Sequence, residues 1–409
     1  MARQFDIPQF YRSPIIGTIK SARTAADPRK RDLTPSVVDF GPVNFKIARN
    51  FGFCYGVENA VEIAYRTLEA HPDRRHFMLS EMIHNSHVND DLRRRGMLFL
   101  RSTMGEELIP LSTLKPDDVV VIPAFGTTLE LKAQLEELGV DVHVYDTTCP
   151  FVTKVWRRSE QIGRKNYTVI VHGKRYHEES QATFSHAQQH APVVVVRDTD
   201  EAHDLAALIK GKRDRSFFFE RFADRYSKGF DPDRDLKRIG VVNQTTMLVT
   251  ETQAVTDILR AAINERYGSG DHFIDTSDTL CYATHENQEA ARALVHSPLD
   301  LALVIGGYNS SNTSQIVTLC KEAVTAYFIS GAEEILSPLQ IRHFDYEAQK
   351  LVYTENWLPE VHPVSIALTA GASCPDMLLD EVICRIVSFF PGARSVEEAL
   401  GPYAEAIAA

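Results

Sequence analysis

Short apolar runs alternate along this chain with longer stretches in which apolar residues recur every three or four positions. From Phe45 onward the runs FKIA, VVVIPAF, VDVHVYDT, YTVIVHG, PVVVV, RIGVVNQT, LALVIGG and VSIALTAG are rich in Val and Ile and bounded by turn residues. That composition predicts short, mostly buried strands. Between several of them lie amphipathic stretches. After Cys54, the positions Val57, Ala60, Val61, Ala64, Tyr65 and Leu68 fall on one helical face. The alternation predicts an α/β fold with largely parallel sheets. Three stretches depart from it. Residues 1–44 contain prolines and the basic run Arg29-Lys30-Arg31, and read as an irregular N-terminal arm. Residues 213–238 are charged and aromatic, and are expected to form a helix and a turn on the surface. Residues 397–409 read as a short C-terminal tail.

Composition narrows the class. The 409 residues are 44% hydrophobic and 24% charged, which is ordinary globular content. The net charge of −11 argues against a nucleic-acid surface and means that an anionic ligand needs local donors. Six cysteines without any C-x-x-C do not form a secreted disulfide framework, a zinc ribbon or a thioredoxin-type pair. The N-terminus has no long apolar region, so no signal peptide is expected. No apolar run approaches the roughly 20 residues that span a bilayer. The expectation is a cytoplasmic protein of a reducing compartment.

Three cysteines share one setting. Cys54 in FKIARNFGFCYGVENAVEIAY, Cys149 in VHVYDTTCPFVTKVW and Cys281 in FIDTSDTLCYATHENQEAARAL all stand where a predicted strand hands over to a predicted helix. Turn chemistry flanks each: Gly52 and Gly56, Pro150, and Asp278 with Thr279. A helix N-terminus offers unpaired N–H groups and the positive end of a dipole to an anion. Three such ends suit an iron–sulfur cluster held by three thiolates, with one iron left to bind something else. A lone cysteine is often just a small hydrophobe. Recurrence at three equivalent places favours ligation. Zinc with three Cys and one His is the alternative metal, although wide spacing suits a shared cluster better than a local knuckle. Cys320, Cys374 and Cys384 are assigned to packing.

Polar groups gather at other loop ends. His84 and His87 lie in EMIHNSHVNDDL, and His172, His177 and Glu179 in VHGKRYHEESQAT. Thr245 and Thr246 lie in VVNQTTM, Ser310, Ser311 and Asn312 in GGYNSSNTSQI, and Ser373 in TAGASCPDML. A strand, a polar turn and a helix start together cradle a phosphate, or else simply cap a helix. His177 with Glu179 reads as a proton relay, because burial near an anionic centre raises a carboxyl pKa toward neutrality. A solvated helix start is the plain alternative. His172 is given no role.

At these residues the chain resembles the 4-hydroxy-3-methylbut-2-enyl diphosphate reductase family, also called IspH or LytB. The markers are GFCYGVENA, EMIHNSHV, DTTCPFVTKV, HEESQAT, NQTTM, TLCYATHENQEA, NSSNTSQ and TAGASCP, in order between Phe45 and Arg394. The arm with FYR and the segment SKGFDPDRDL look like the longer plant and cyanobacterial form. The resemblance implies three α/β domains in a pseudo-threefold trefoil around one [4Fe–4S] cluster per subunit. Those domains would be residues 45–148, 149–279 with the insert 213–238, and 280–396. It implies Cys54, Cys149 and Cys281 as metal ligands. It places His84, Ser310, Ser311, Asn312, Ser373 and Thr246 at the substrate, and Glu179, His177 and Thr245 at proton delivery.

The implied reaction is reductive dehydroxylation of 4-hydroxy-3-methylbut-2-enyl diphosphate to isopentenyl and dimethylallyl diphosphate, the last step of the non-mevalonate route. Electrons would come from reduced ferredoxin or flavodoxin, and a homodimer is compatible. No nucleic acid or membrane partner is implied. Many bacterial members have a histidine where PAFGTT places Phe125, whereas the longer form tends to have Phe. Two other classes would use similar residues: a hydro-lyase that needs no reductant, and a cluster-bearing sensor with no turnover. The basic residues of 213–238, with Lys20 and Arg23, are candidates for meeting an acidic electron carrier, against a plain solvated surface.

Overall fold

A computed structural model describes residues 5–268, 270–274, 279–361 and 363–408. Asp278, one of the turn residues before Cys281, lies outside them. The contacts divide the chain into two compact units: Met1–Glu58, His84–Val88 and Tyr282–Ala409 in one, Asn59–Ile83 and Asn89–Cys281 in the other. No helix among the described residues is long and apolar enough to cross a membrane.

The first unit is built on a five-stranded sheet. Its order is Ser36–Asp39, Val43–Ile47, Val364–Ala370, Leu301–Ile305, Ala326–Ile329. The outermost pair, Ser36–Asp39 with Val43–Ile47, is antiparallel and the other pairs are parallel. Leu301–Ile305 is buried along its whole length, as a strand covered on both faces must be. The FKIA strand was expected to open the first of three domains. It pairs instead with VSIALTAG, with Phe45 opposite Ile366 and Lys46 opposite Ala367. The two ends of the chain thus share one sheet.

The N-terminal arm is not irregular. It contains the helix Pro14–Ala26, which buries Ile15, Ile16, Ile19 and Ala22. Ser13 caps that helix by accepting from the Ile16 N–H at 2.8 Å. Asp380 accepts from the Ile15 and Ile16 N–H groups at 3.0 and 3.1 Å. Pro14 stands at the first helical position, where a missing N–H costs nothing. The expected C-terminal tail is likewise the helix Val396–Ala408, fixed by Tyr403 Oη donating to the Val37 carbonyl at 2.8 Å.

The second unit holds two parallel sheets. One orders Met97–Phe99, His76–Met78 and Val119–Val121; the other orders Val193–Val196, Thr168–His172, Ile239–Asn243 and Phe273–Ile274. VDVHVYDT is not a strand. It makes one parallel bridge, Asp146 with Ile122. The reason is local: Asp141 Oδ1 accepts from the His143 and Val144 N–H groups at 3.0 and 3.3 Å, a turn that competes with the ladder. The three-residue strands HFM and MLF, and the hairpin Gln340–Asp345 with Lys350–Glu355 in the first unit, are too short or too polar to stand out by period.

The segment 213–238 does contain helices, Arg215–Arg221 and Pro232–Asp235, but it is not a surface flap. Phe218, Phe222, Phe230 and Leu236 are buried in one core with Ile170, Val194 and Leu259. Several of its arginines are paired locally. Arg221 Nε lies 2.6 Å from Asp204, Arg225 Nη1 2.5 Å from Glu201, and Arg234 Nε 2.6 Å from Asp235. Lys20 pairs with Asp376 at 2.8 Å and Arg23 with Asp32 at 3.0 Å. These pairs favour the solvated-surface reading over a carrier-docking patch. Cys320 and Cys374 are buried as expected, but Cys384 is exposed. Truncating Phe218 to Ala should cost about 3–5 kcal/mol, read as a lowered thermal midpoint, because four stacked, tilted or edge-on rings lose their common neighbour. A midpoint unchanged by Phe218→Ala would return the segment to the surface.

Candidate active site

Each of the three cysteines immediately precedes a helix: Tyr55–Ala70, Pro150–Arg164 and Tyr282–Val295. All three are half-buried and none is in a disulfide. Cys54 donates its N–H to the Ala372 carbonyl at 3.2 Å and accepts from the Glu58 N–H at 2.9 Å. The preceding turn needs glycine: Gly52 has φ +79°, and a Cβ there would lie 2.5 Å from Asp376 Oδ1. Cys149 is the N-cap of its helix, with φ −60° and ψ 134°, and Pro150 takes the first helical position. Its carbonyl accepts from Val152 and Thr153 at 2.9 and 3.1 Å, and its N–H donates to Ala124 at 3.0 Å. Burial raises the Cys149 thiol pKa, the N–H groups of Phe151 and Val152 oppose that, and the charge of Glu179 adds to it. Cys281 donates its N–H to the Thr245 carbonyl at 3.3 Å.

Cys54 belongs to one unit, Cys149 and Cys281 to the other. The donor set fits an anionic metal–thiolate centre: thiols rather than disulfides, partly shielded, each at the amide-rich start of a helix.

The proton-handling pair lies in the second unit. His177 caps the helix Glu178–Gln188, its Nδ1 accepting from the Glu179 N–H at 3.2 Å. That bond leaves Nε2 as the protonated nitrogen of a neutral ring. Phe125 packs edge-on against the His177 ring at 5.8 Å. Glu179 is buried, and its carboxylate accepts from the Thr245 N–H at 2.6 Å and from Thr245 Oγ1 at 2.9 Å. Burial raises its pKa to about 7, with the two Thr245 bonds pulling the other way. The solvated-helix-start alternative therefore fails. Thr246 Oγ1 accepts from Gln244 Nε2 at 2.8 Å, so its oxygen is engaged within the protein. His172 is buried and burial lowers its pKa to about 4, which fits its having no proton role. Beside this pair stands a group the sequence did not single out: burial raises Glu178 to about 8.

The oxyanion cradle lies in the first unit. Ser310, Ser311 and Asn312 lead into the helix Ser311–Lys321 at the carboxyl end of Leu301–Ile305. Ser373 stands beyond the carboxyl end of the neighbouring Val364–Ala370 strand. Ser310 is the N-cap: its Oγ accepts from the Thr313 N–H and Oγ1 at 3.2 and 2.9 Å. Capping, the plain alternative, thus accounts for Ser310. It does not account for its neighbours. Ser311 Oγ and Asn312 Nδ2 are buried donors without a protein partner. Asn312 Oδ1 accepts from the Ala372 N–H at 2.8 Å, which fixes the amide so that Nδ2 faces away. Ser373 Oγ donates to the His84 carbonyl at 3.1 Å, tying the His84 loop to the cradle. Any Cβ at Gly307 would collide with the His84 carbonyl, and any Cβ at Gly371 with Thr313. Glycine at both positions lets these loops close up. The GG and TAGAS spellings carried that signal, although they were not read as packing constraints.

Half-buried thiols at helix starts, a buried acid near neutrality and orphaned donors at the carboxyl ends of parallel strands are features of an α/β enzyme. The LytB protein family matches residues 45–387, and the chain belongs to that family. A Synechococcus sp. relative is 41% identical over 350 residues, covering 85% of each chain. A Prochlorococcus marinus relative is 38% identical over 391 residues, 95% of this chain and 93% of its own. Both are named 4-hydroxy-3-methylbut-2-enyl diphosphate reductase. A solved structure of (E)-4-hydroxy-3-methyl-but-2-enyl diphosphate reductase, the terminal enzyme of the non-mevalonate pathway, matches with TM-score 0.51 and 26% identity. It covers 85% of this chain and 99% of its own. A Plasmodium falciparum reductase structure shares the fold at TM-score 0.62 and 19% identity, over 86% of this chain and 90% of its own.

Because Ser311 Oγ has no partner to lose, Ser311→Ala should leave the thermal midpoint unchanged or slightly raised. The same variant should weaken binding of inorganic diphosphate by about 10-fold, the worth of one hydrogen bond to a charged group. Calorimetric titration measures both arms. Unchanged affinity would remove Ser311 from the cradle.

Proposed function

We propose that this protein reduces 4-hydroxy-3-methylbut-2-enyl diphosphate to isopentenyl and dimethylallyl diphosphate. Membership of the LytB family and relatives bearing that reductase name over most of the chain support the reading. The observation that carries the chemistry is Glu179, a buried carboxyl whose pKa sits near neutrality and which Thr245 holds by two bonds.

Cys54, Cys149 and Cys281 hold a [4Fe–4S] cluster in this proposal. The cluster, when bound, supplies electrons and one iron open to the substrate's hydroxyl. Everything else falls to the chain. Ser311 Oγ, Asn312 Nδ2 and the first-turn N–H groups of Ser311–Lys321 bind the diphosphate, with His84, Ser310 and Ser373 shaping the cradle. Neutral donors suit a chain of net charge −11, since they attract the anion locally without adding buried cations. Glu179, substantially protonated near neutral pH, delivers the proton that lets the C4 oxygen leave as water. His177 caps the helix that carries Glu179 and presents Nε2–H as a second donor at the hydroxyl end. Thr245 holds the Glu179 carboxyl in place. Thr246 joins the substrate side of the same loop.

Electrons come from a reduced ferredoxin or flavodoxin, and six cysteines without a disulfide suit the reducing cytoplasm. Two assays decide the class. Anaerobic turnover should require a strong reductant; turnover without one would make the protein a hydro-lyase, and none under either condition would make it a binding protein. Glu179→Gln should abolish turnover while iron and sulfide content stay at the unsubstituted level. The active form is the acid, so kcat should fall as pH rises through about 7. A rate that climbs across that range would assign the proton to another group.

A further inference from the structure

The two loops that carry the proton-handling residues are fastened together by one side chain. Gln244 is fully buried between the 173–180 loop and the 244–247 loop. Its Oε1 accepts from the Lys174 N–H at 3.0 Å and from Ser180 Oγ at 3.1 Å. Its Nε2 donates to Thr246 Oγ1 at 2.8 Å. Its backbone N–H donates to the His172 carbonyl at 2.8 Å. The fit is tight enough to require glycine beside it, since a Cβ at Gly173 would lie 2.7 Å from Ser180 Oγ and 2.8 Å from Gln244 Cβ. Lys174 and Ser180 bracket His177 and Glu179 in sequence. Thr246 follows Thr245, which holds the Glu179 carboxyl. One amide therefore spans both sides of the Glu179–Thr245 pair without touching either residue's functional atoms.

We infer that Gln244 is a positioning residue for proton delivery, setting the reach of Glu179 by locking its loop to the Thr245–Thr246 turn. An amide suits the task. It accepts twice and donates once in a dry site, where a carboxylate would bring an unpaired charge and an apolar side chain would strand three partners. Catalytic groups work only within narrow tolerances, and such tolerances need a supporting shell.

This inference rests on Glu179 being the proton donor, so Glu179→Gln is measured alongside. Gln244→Leu removes all three side-chain bonds at similar volume. In cluster-loaded protein normalised to iron content, its kcat should fall by about 10-fold to 100-fold, the usual cost of a misplaced catalytic group. Affinity for inorganic diphosphate should hold within about twofold, because the orphaned oxyanion donors Ser311 and Asn312 belong to other loops. The alkaline limb of kcat should also move to lower pH, since water admitted along the loosened loop favours the charged carboxylate. A loss of active enzyme alone would leave that limb in place. In cluster-free protein, amide hydrogen exchange of the 173–180 peptide should speed up in the same variant. If Gln244→Leu does not fold, Ser180→Ala removes one of the three bonds and should show the same shifts at smaller size. An unchanged kcat, or a lowered kcat with an unmoved limb, would overturn the positioning role. A fully active Glu179→Gln would overturn the assignment of the proton donor instead.

Discussion

The constraint on which this site depends is the placement of a sulfur directly ahead of a helix. A residue in that position faces amide N–H groups that the helix cannot satisfy internally. Cys149 shows the arrangement most plainly: extended backbone, proline next, and a thiol facing the N–H groups of Phe151 and Val152. Burial alone would keep such a thiol protonated, because nothing solvates its charge. The amides offset part of that cost, and a metal ligated by the sulfur would offset the rest. Cys54 and Cys281 repeat the placement, each tied through its own N–H to a neighbouring loop, at Ala372 and Thr245. These ties link the thiols to the loops of the two proposed subsites. Ala372 is also held by Asn312 of the oxyanion cradle, and Thr245 also holds Glu179.

The proposed oxyanion donors and the proposed acid belong to different units. Oxyanion donors stand in one, at the carboxyl ends of adjacent parallel strands. The acid stands in the other, capped by His177 and held by Thr245. Buried donors left without partners cost about 1–3 kcal/mol each, so Ser311 and Asn312, which no protein group satisfies, gain from an acceptor that enters the cradle. A carboxyl brought near neutrality by burial is a similar case, an expense that structure alone does not require.

Much of this was legible in the sequence, for definite reasons. Strands buried on both faces spell themselves as unbroken apolar runs, so LALVIGG and VSIALTAG were clear. Turn residues beside the three cysteines marked helix starts correctly. The errors were equally physical. FKIA was assigned by position along the chain, but parallel pairing is blind to sequence separation, and it joined a strand more than 300 residues away. VDVHVYDT had strand composition and lost to the turn made by Asp141. The arm read as irregular and the C-terminus as a short tail because their prolines and small residues hide helices held by tertiary contacts, chiefly Asp380 and Tyr403. The aromatic segment 213–238 looked like surface because its charges are dense; several of those charges pair with acids of the segment or of the neighbouring helix Thr199–Ile209, over a buried phenylalanine cluster. At the site, residue type revealed Glu179 and the Ser-Asn cradle. It did not separate Ser310, a cap, from Ser311, an orphaned donor. That distinction depends on which hydroxyl faces the helix's own amides.

The account stands on three thiolates anchoring a cluster with one iron of different ligation. Mössbauer spectroscopy of anaerobically reconstituted, iron-57-labelled protein tests this most directly. The account predicts a cubane signal in which one iron site differs from the other three, and in which that site alone changes when the hydroxylated allylic diphosphate is added. Four equivalent irons, indifferent to the diphosphate, would contradict it.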